Sequence, residues 1–114
     1  MTFDDGIVKI YKVKQGEEPG KKPKKKLVLK SEHYFGYSEV YHNRYYEAKG
    51  QQDQIDELIH IWQDRDITTK DIAEDEEGKQ FRIVQVQHGE NEEGLRASYL
   101  SLERLDEKYE LAEN

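Results

Sequence analysis

The feature that most constrains this chain is a series of short, β-branched or alternating segments separated by polar turns that carry glycine. Phe81-Arg82-Ile83-Val84-Gln85-Val86-Gln87 is the strongest of them: apolar and polar side chains alternate at a period of two, which half-buries a strand but not a helix. Before it, Asp71-Ile72-Ala73-Glu74 reads as a short strand, and Asp75-Glu76-Glu77-Gly78-Lys79 as a hairpin loop with glycine where φ must be positive. After a polar loop from Gly89 to Gly94, the run from Ala97 to Leu105 alternates Leu100 and Leu102 with Tyr99, Ser101 and Glu103. Several short strands with turns between them predict a small barrel or sandwich.

The N-terminal half adds strands and one ambiguity. Ile7-Val8-Lys9-Ile10-Tyr11-Lys12-Val13 is β-branched and has no helix start signal before it, so a strand is predicted. Both prolines, Pro19 and Pro23, fall in the next stretch with Gly16 and Gly20, which predicts a long flexible loop over 14–26. Leu27-Val28-Leu29 resumes extended structure, and Tyr34 to Tyr41 fits a strand with an irregularity at Gly36. Asn43 as N-cap and Gly50 as stop bracket a short helical turn. Residues 54–62 stay open: Ile55, Leu58, Ile59 and Trp62 fit a helical stripe, while Ile55, Ile59 and Ile61 on one side and Leu58 and Trp62 on the other fit a strand buried on both faces.

Composition bounds what such a fold can do. A length of 114 residues suits one domain, and 34% hydrophobic against 38% charged residues leaves a monomer a thin core. Without cysteine there is no disulfide framework, cysteine–zinc site or thiol nucleophile. The N-terminus is acidic with no apolar run after it, so neither a signal peptide nor a membrane span is expected. The net charge of -7 is unevenly spread. Eight lysines lie between Lys9 and Lys26 against Glu17 and Glu18, whereas thirteen acids from Asp71 to Asn114 face five lysines or arginines. Solvated faces are the simplest account; electrostatic docking to partners or to other copies is the sharper one.

The chemical inventory argues against an enzyme. His33, His42, His60 and His88 show no metal-ligand spacing, so no metal or cofactor is expected, and His60 and His88 read as hydrogen-bonded structural residues. Asp56 and Glu57 are the one carboxylate pair beside apolar residues, and a solvated pair is the simpler reading. No phosphate-binding glycine loop or nucleophile elbow is present in the sequence. The basic loop, Lys21, Lys22, Lys24, Lys25 and Lys26, could neutralise phosphates without reading sequence, since it contains no arginine.

Six aromatics crowd the fourteen residues from His33 to Tyr46, more than a thin core needs, which points to an interface. Within and after them, Tyr41-His42-Asn43-Arg44-Tyr45-Tyr46-Glu47-Ala48-Lys49 and Ile55-Asp56-Glu57-Leu58-Ile59-His60-Ile61 resemble the head closure and head-tail adaptor proteins of tailed phages and prophages. The step from Arg65-Asp66-Ile67 to Asp71-Ile72, the strand from Gly78 to His88 and the closing Leu100-Ser101-Leu102-Glu103-Arg104-Leu105 follow the same order. The resemblance covers roughly residues 34–109 and turns 54–62 toward a strand.

It implies a mainly β fold, a small β-barrel of about six strands with one short helix inserted; the long Lys-rich loop lies outside the resemblance, and the acidic tail over 106–114 is expected from its composition to fray. It further implies a homo-oligomeric ring of about six or twelve copies at the head–tail joint of the virion, made in the bacterial host cytoplasm. A portal or adaptor protein would sit above it, a tail protein below, and packaged double-stranded DNA nearby. The implied subunit or portal interface is Tyr41, Arg44, Tyr45, Tyr46, Lys49, Gln51 and Gln52. The alternatives are a monomeric nucleic-acid-binding module using the Lys-rich loop and a tail-completion protein of similar fold.

Overall fold

Seven strands account for the regular structure of the chain in a computed structural model that describes residues 2–16, 24–38, 55–90 and 93–112. They are β1 (Gly6–Gly16), β2 (Lys24–Tyr37), β3 (Glu57–Trp62), β4 (Ile72–Glu74), β5 (Gln80–Glu90), β6 (Arg96–Arg104) and β7 (Glu110–Leu111). The hydrogen-bonded order runs β1-β4-β5-β6-β3-β2, and β2 pairs back onto β1, so six antiparallel strands close a ring. β7 joins the outer edge of β2 in parallel, with Lys26 opposite Glu110 and Leu27 opposite Leu111. No helix occurs among the described residues, and the predicted helical turn at 43–50 lies outside them.

The period-two pattern decides what fills the ring. Val8 and Ile10 of β1, Phe35 of β2, Ile59 and Ile61 of β3, Ala73 of β4, Phe81 and Ile83 of β5, and Leu100 and Leu102 of β6 form one buried cluster. Ile67 joins them from the β3–β4 connection. Each fully buried aliphatic side chain of this size contributes roughly 1.5–3 kcal/mol, so this interior carries most of the hydrophobic stabilisation. Two smaller clusters flank it: Ile55, Leu58, Ala97 and Tyr99 beside β3 and β6, and Tyr11, Leu27 and Ile72 beside β1 and β4. Within 54–62, which fits either period, Glu57–Trp62 is a strand with Ile59 and Ile61 in the central cluster and Leu58 in the smaller one. Ile55, expected on the side of Ile59 and Ile61, precedes the strand and clusters with Leu58.

Four expectations need correction. The basic stretch is not one loop over 14–26: β1 runs to Gly16 and β2 starts at Lys24, so Lys24, Lys25 and Lys26 are strand residues opposite Gly16, Gln15 and Lys14. Lys21 and Lys22 lie outside the described residues. The strand irregularity is not at Gly36, which pairs regularly with His60, but at Lys30, skipped where the register passes from Ile10↔Ser31 to Tyr11↔Leu29. A bulge of this kind re-aims a side chain. Here it turns Lys30 onto the Asp71 carboxylate at 2.6 Å and the Asp66 carbonyl. The loop expected from Gly89 to Gly94 is shorter, because β5 continues to Glu90.

The acidic tail is docked rather than frayed. The Gln80 side chain donates to the Tyr109 carbonyl at 3.1 Å and accepts from the Tyr109 amide at 2.8 Å. The Ala112 amide then donates to the Leu27 carbonyl, while Leu105 and Tyr109 pack on Tyr11, Leu27 and Ile72.

Candidate interaction surfaces

Outside the ring, β1 and β2 continue as a ribbon that is two-stranded except where β7 pairs with Lys26 and Leu27. β4 accompanies β1 only over Lys9–Tyr11, so Lys12–Gly16 has β2 alone as its partner. Residues directly opposite in an antiparallel pair share a face, and side chains alternate along each strand. Tyr11, Val13 and Leu27 fall on one face, against Leu105 and Tyr109. Lys12, Lys14, Lys24 and Lys26 fall on the other, with Val28 opposite Lys12 and Lys14 directly across from Lys26. Among the described residues these four lysines form no ion pair, while Lys9 reaches Glu32 at 3.8 Å and Lys30 reaches Asp71. Lys25 points the other way. With Lys24 it borders a cleft of about 500 Å³ lined also by Leu105, Glu107, Lys108, Tyr109 and Glu110.

Large side chains are also exposed on β2 and β3. Leu29, Tyr34 and Tyr37 on β2 are 52%, 64% and 53% exposed, and Trp62 on β3 is 49% exposed. Carboxylates surround Tyr37. Partial burial raises the pKa of its hydroxyl above the ordinary tyrosine range, and the negative charges of Glu57, Asp75, Asp5 and Glu77 add to the shift. Glu57 is likewise pushed up, by burial first and then by Asp75, with Lys79 and Arg104 opposing. The Asp75–Lys79 turn that presents two of these acids is built locally. Asp75 Oδ1 accepts the Glu77 and Lys79 amides at 3.0 and 2.8 Å, and Gly78 takes φ +82°.

The histidines are held inside hydrogen-bond networks. His60 is buried on β3; its Nε2 donates to the Thr2 carbonyl at 2.5 Å, and its Nδ1 pairs with Ser38 Oγ, also at 2.5 Å. Phe3 meets His60 edge-on and stacks on Trp62 with ring centroids 4.2 Å apart. His33 Nε2 lies 3.0 Å from both Asp64 Oδ2 and Ser31 Oγ, and His88 Nδ1 lies 2.7 Å from Ser98 Oγ. The Asp64 amide donates to the same Ser98 oxygen at 3.0 Å, which links the two histidines through one buried serine. Ser98 is fully buried, so this arrangement ties β2, β5 and β6 to the β3–β4 connection and offers no nucleophile to a substrate.

Several residues singled out in the sequence are not brought to one place. Asp56 is exposed and its Oδ2 accepts the Arg104 amide at 2.7 Å, so it serves the start of β3. Tyr41, Arg44, Tyr45, Tyr46, Lys49, Gln51, Gln52 and His42 lie outside the described residues. Conversely, Lys12 and Lys14 enter the lysine face only through the β1–β2 register, and Asp64 and Ser98 find the histidines only through the ring. Among the described residues no group of three or more histidines and carboxylates could hold a metal ion. No family model matches the sequence, and no curated protein matches it significantly.

Proposed function

We propose that this chain is a structural subunit of a phage head-tail connector: a head closure or adaptor ring beneath the portal that retains packaged DNA and joins head to tail. In this reading the six-strand ring is a small β-barrel, a short helix within 43–50 is inserted between β2 and β3, and about six or twelve copies assemble in the virion. Portal or adaptor and tail proteins are the neighbours, and no step of the function is catalytic.

The observation that carries the reading is that Leu29, Tyr34, Tyr37 and Trp62 remain exposed although the ring interior is already filled. One face of Trp62 is taken by Phe3, and its exposed remainder, with Leu29, Tyr34 and Tyr37, is free to meet another surface. Aromatic residues are enriched where protein surfaces meet, because an apolar ring with a polar tip tolerates burial. The acids around Tyr37 suit charge-guided head-to-tail contacts, which close into rings when the rotation permits.

Native mass spectrometry of the purified chain, alone and with a portal ring of the same phage, tests the proposal. Addition of about six or twelve copies to the portal is the expected result. A chain that stays monomeric and never joins the portal would overturn it.

A further inference from the structure

We infer that the ribbon face formed by Lys12, Lys14, Lys24 and Lys26 is a binding site for the phosphate backbone of double-stranded DNA. The inference deepens the connector reading by naming where the subunit touches nucleic acid, yet it concerns the isolated chain and stands or falls without any assembly.

The first argument is the cost of the arrangement. Lys14 and Lys26 are directly opposed on one face, and like charges so placed repel across a strand pair. Lys12 and Lys24 extend the same face to either side. The chain carries 25 acids and a net charge of -7, yet no acid among the described residues forms an ion pair with any of the four. Glu110 of β7 stands directly across from Lys26, and Glu107 borders the cleft beside Lys24 and Lys25, yet neither closes such a pair, so four lysines meet a single acid on this face. A face kept this positive in an acidic protein fits an external polyanion.

The composition of the face selects which polyanion. Lysine is depleted at protein–protein interfaces, where arginine and aromatic residues dominate. Phosphate contacts, in contrast, need only positive charge without fixed geometry. Single strands are held by aromatic side chains on which bases stack. This face has none: between its lysines stands only Val28, and the exposed aromatics Tyr34, Tyr37 and Trp62 belong to other parts of the strands. Beyond Lys26, toward Lys24 and Gly16, the ribbon is two-stranded, a cross-section that the major groove of B-form DNA admits. Without arginine or amide side chains on the face, binding is independent of base sequence.

Fluorescence anisotropy of the full chain with a labelled 20-base-pair duplex, titrated between about 50 and 200 mM NaCl, measures the contact. Four neutralised phosphates predict a slope of log K against log salt of about -3.6, or an affinity loss on the order of a hundredfold over that range. K12Q/K14Q/K24Q/K26Q is expected to bring the slope near zero, K12Q/K14Q alone to about half, and K70Q/K79Q to leave it unchanged. Trp62 emission verifies that each variant is folded, and the double variant carries the test if the quadruple one is not. A slope that survives K12Q/K14Q overturns the inference. So does equal competition by poly-glutamate, which would place an acidic protein on the face, or tighter binding of oligo(dT) than of the duplex.

Discussion

Gly36 of β2 lies directly across the ladder from His60 of β3, and a β-carbon at Gly36 would come within 2.5 Å of the imidazole Nε2. The same β-carbon would strike the Thr2 carbonyl oxygen, which is the acceptor of the His60 Nε2 hydrogen bond. The missing side chain therefore lets the N-terminal segment lie over the β2–β3 pair. Asp5 extends this contact: its amide donates to the Phe35 carbonyl at 2.9 Å, and its Oδ2 accepts the Tyr37 amide at 2.9 Å.

Gly36→Ala should therefore destabilise the chain by about 1–3 kcal/mol, the usual cost of overpacking a site whose neighbours cannot withdraw. Backbone atoms on one side and a hydrogen-bonded ring on the other leave little room to give. Urea denaturation reads the effect as a lower midpoint at unchanged slope. An unchanged midpoint would mean that the N-terminal segment is not seated over Gly36.

Phe3 anchors the same segment from outside. It stacks on Trp62 with an interplanar angle of 14°, and Trp62 is the single tryptophan of the chain. Phe3→Ala should shift Trp62 emission to the red, since it bares the stacked face of an indole that is already half exposed. The loss of an aromatic pair adds about 0.5–1.5 kcal/mol to the lost burial. Emission identical to that of the wild type would show that the stack does not persist in solution.

Asp71 is the most consequential buried charge. Its Oδ2 takes the Lys30 ammonium at 2.6 Å and the Thr68 amide at 2.9 Å, and its side chain is almost wholly buried. Asp71→Ala strands Lys30 and the Thr68 amide together, so a loss of about 3 kcal/mol is expected, with a smaller loss for Asp71→Asn. Thermal unfolding of both variants at pH 7 gives the comparison. Equal stability of Asp71→Ala and wild type would reduce the Lys30 contact to a surface pair.

How much of this was legible in the sequence follows from how far each interaction reaches along the chain. Alternation at period two gave the strands around Ile83 and Leu100, and the Asp75–Lys79 turn was readable because its hydrogen bonds close within four residues. The lysine face was not: Lys12 and Lys14 meet Lys26 only through a register that a one-residue bulge at Lys30 resets. Nothing local marks Lys30 as a bulge, because its partner Asp71 is 41 residues away. The same distance problem hid the link from His33 through Asp64 and Ser98 to His88. The tail read as frayed because Asp106-Glu107-Lys108 is polar. Its docking depends on one distant side chain, Gln80, which satisfies both backbone groups of Tyr109.

Glu57 gives a pH dependence with a definite sign. Burial and the nearby Asp75 charge raise its pKa above the ordinary value of 4.5, so the folded state holds the proton more tightly than the unfolded chain does. The group then costs stability once pH exceeds its folded pKa, and that cost disappears below its unfolded pKa. Glu57→Gln removes the charge and should stabilise the protein at pH 7. The gain should be only about 0.5 kcal/mol, because the carboxylate is only partly buried and solvent screens it. The advantage should shrink as pH falls through the raised pKa and vanish below about pH 4. Urea midpoints of wild type and variant across this range decide the matter. A variant less stable than wild type at pH 7 would mean that the attractions of Lys79 and Arg104 outweigh the burial and the Asp75 repulsion.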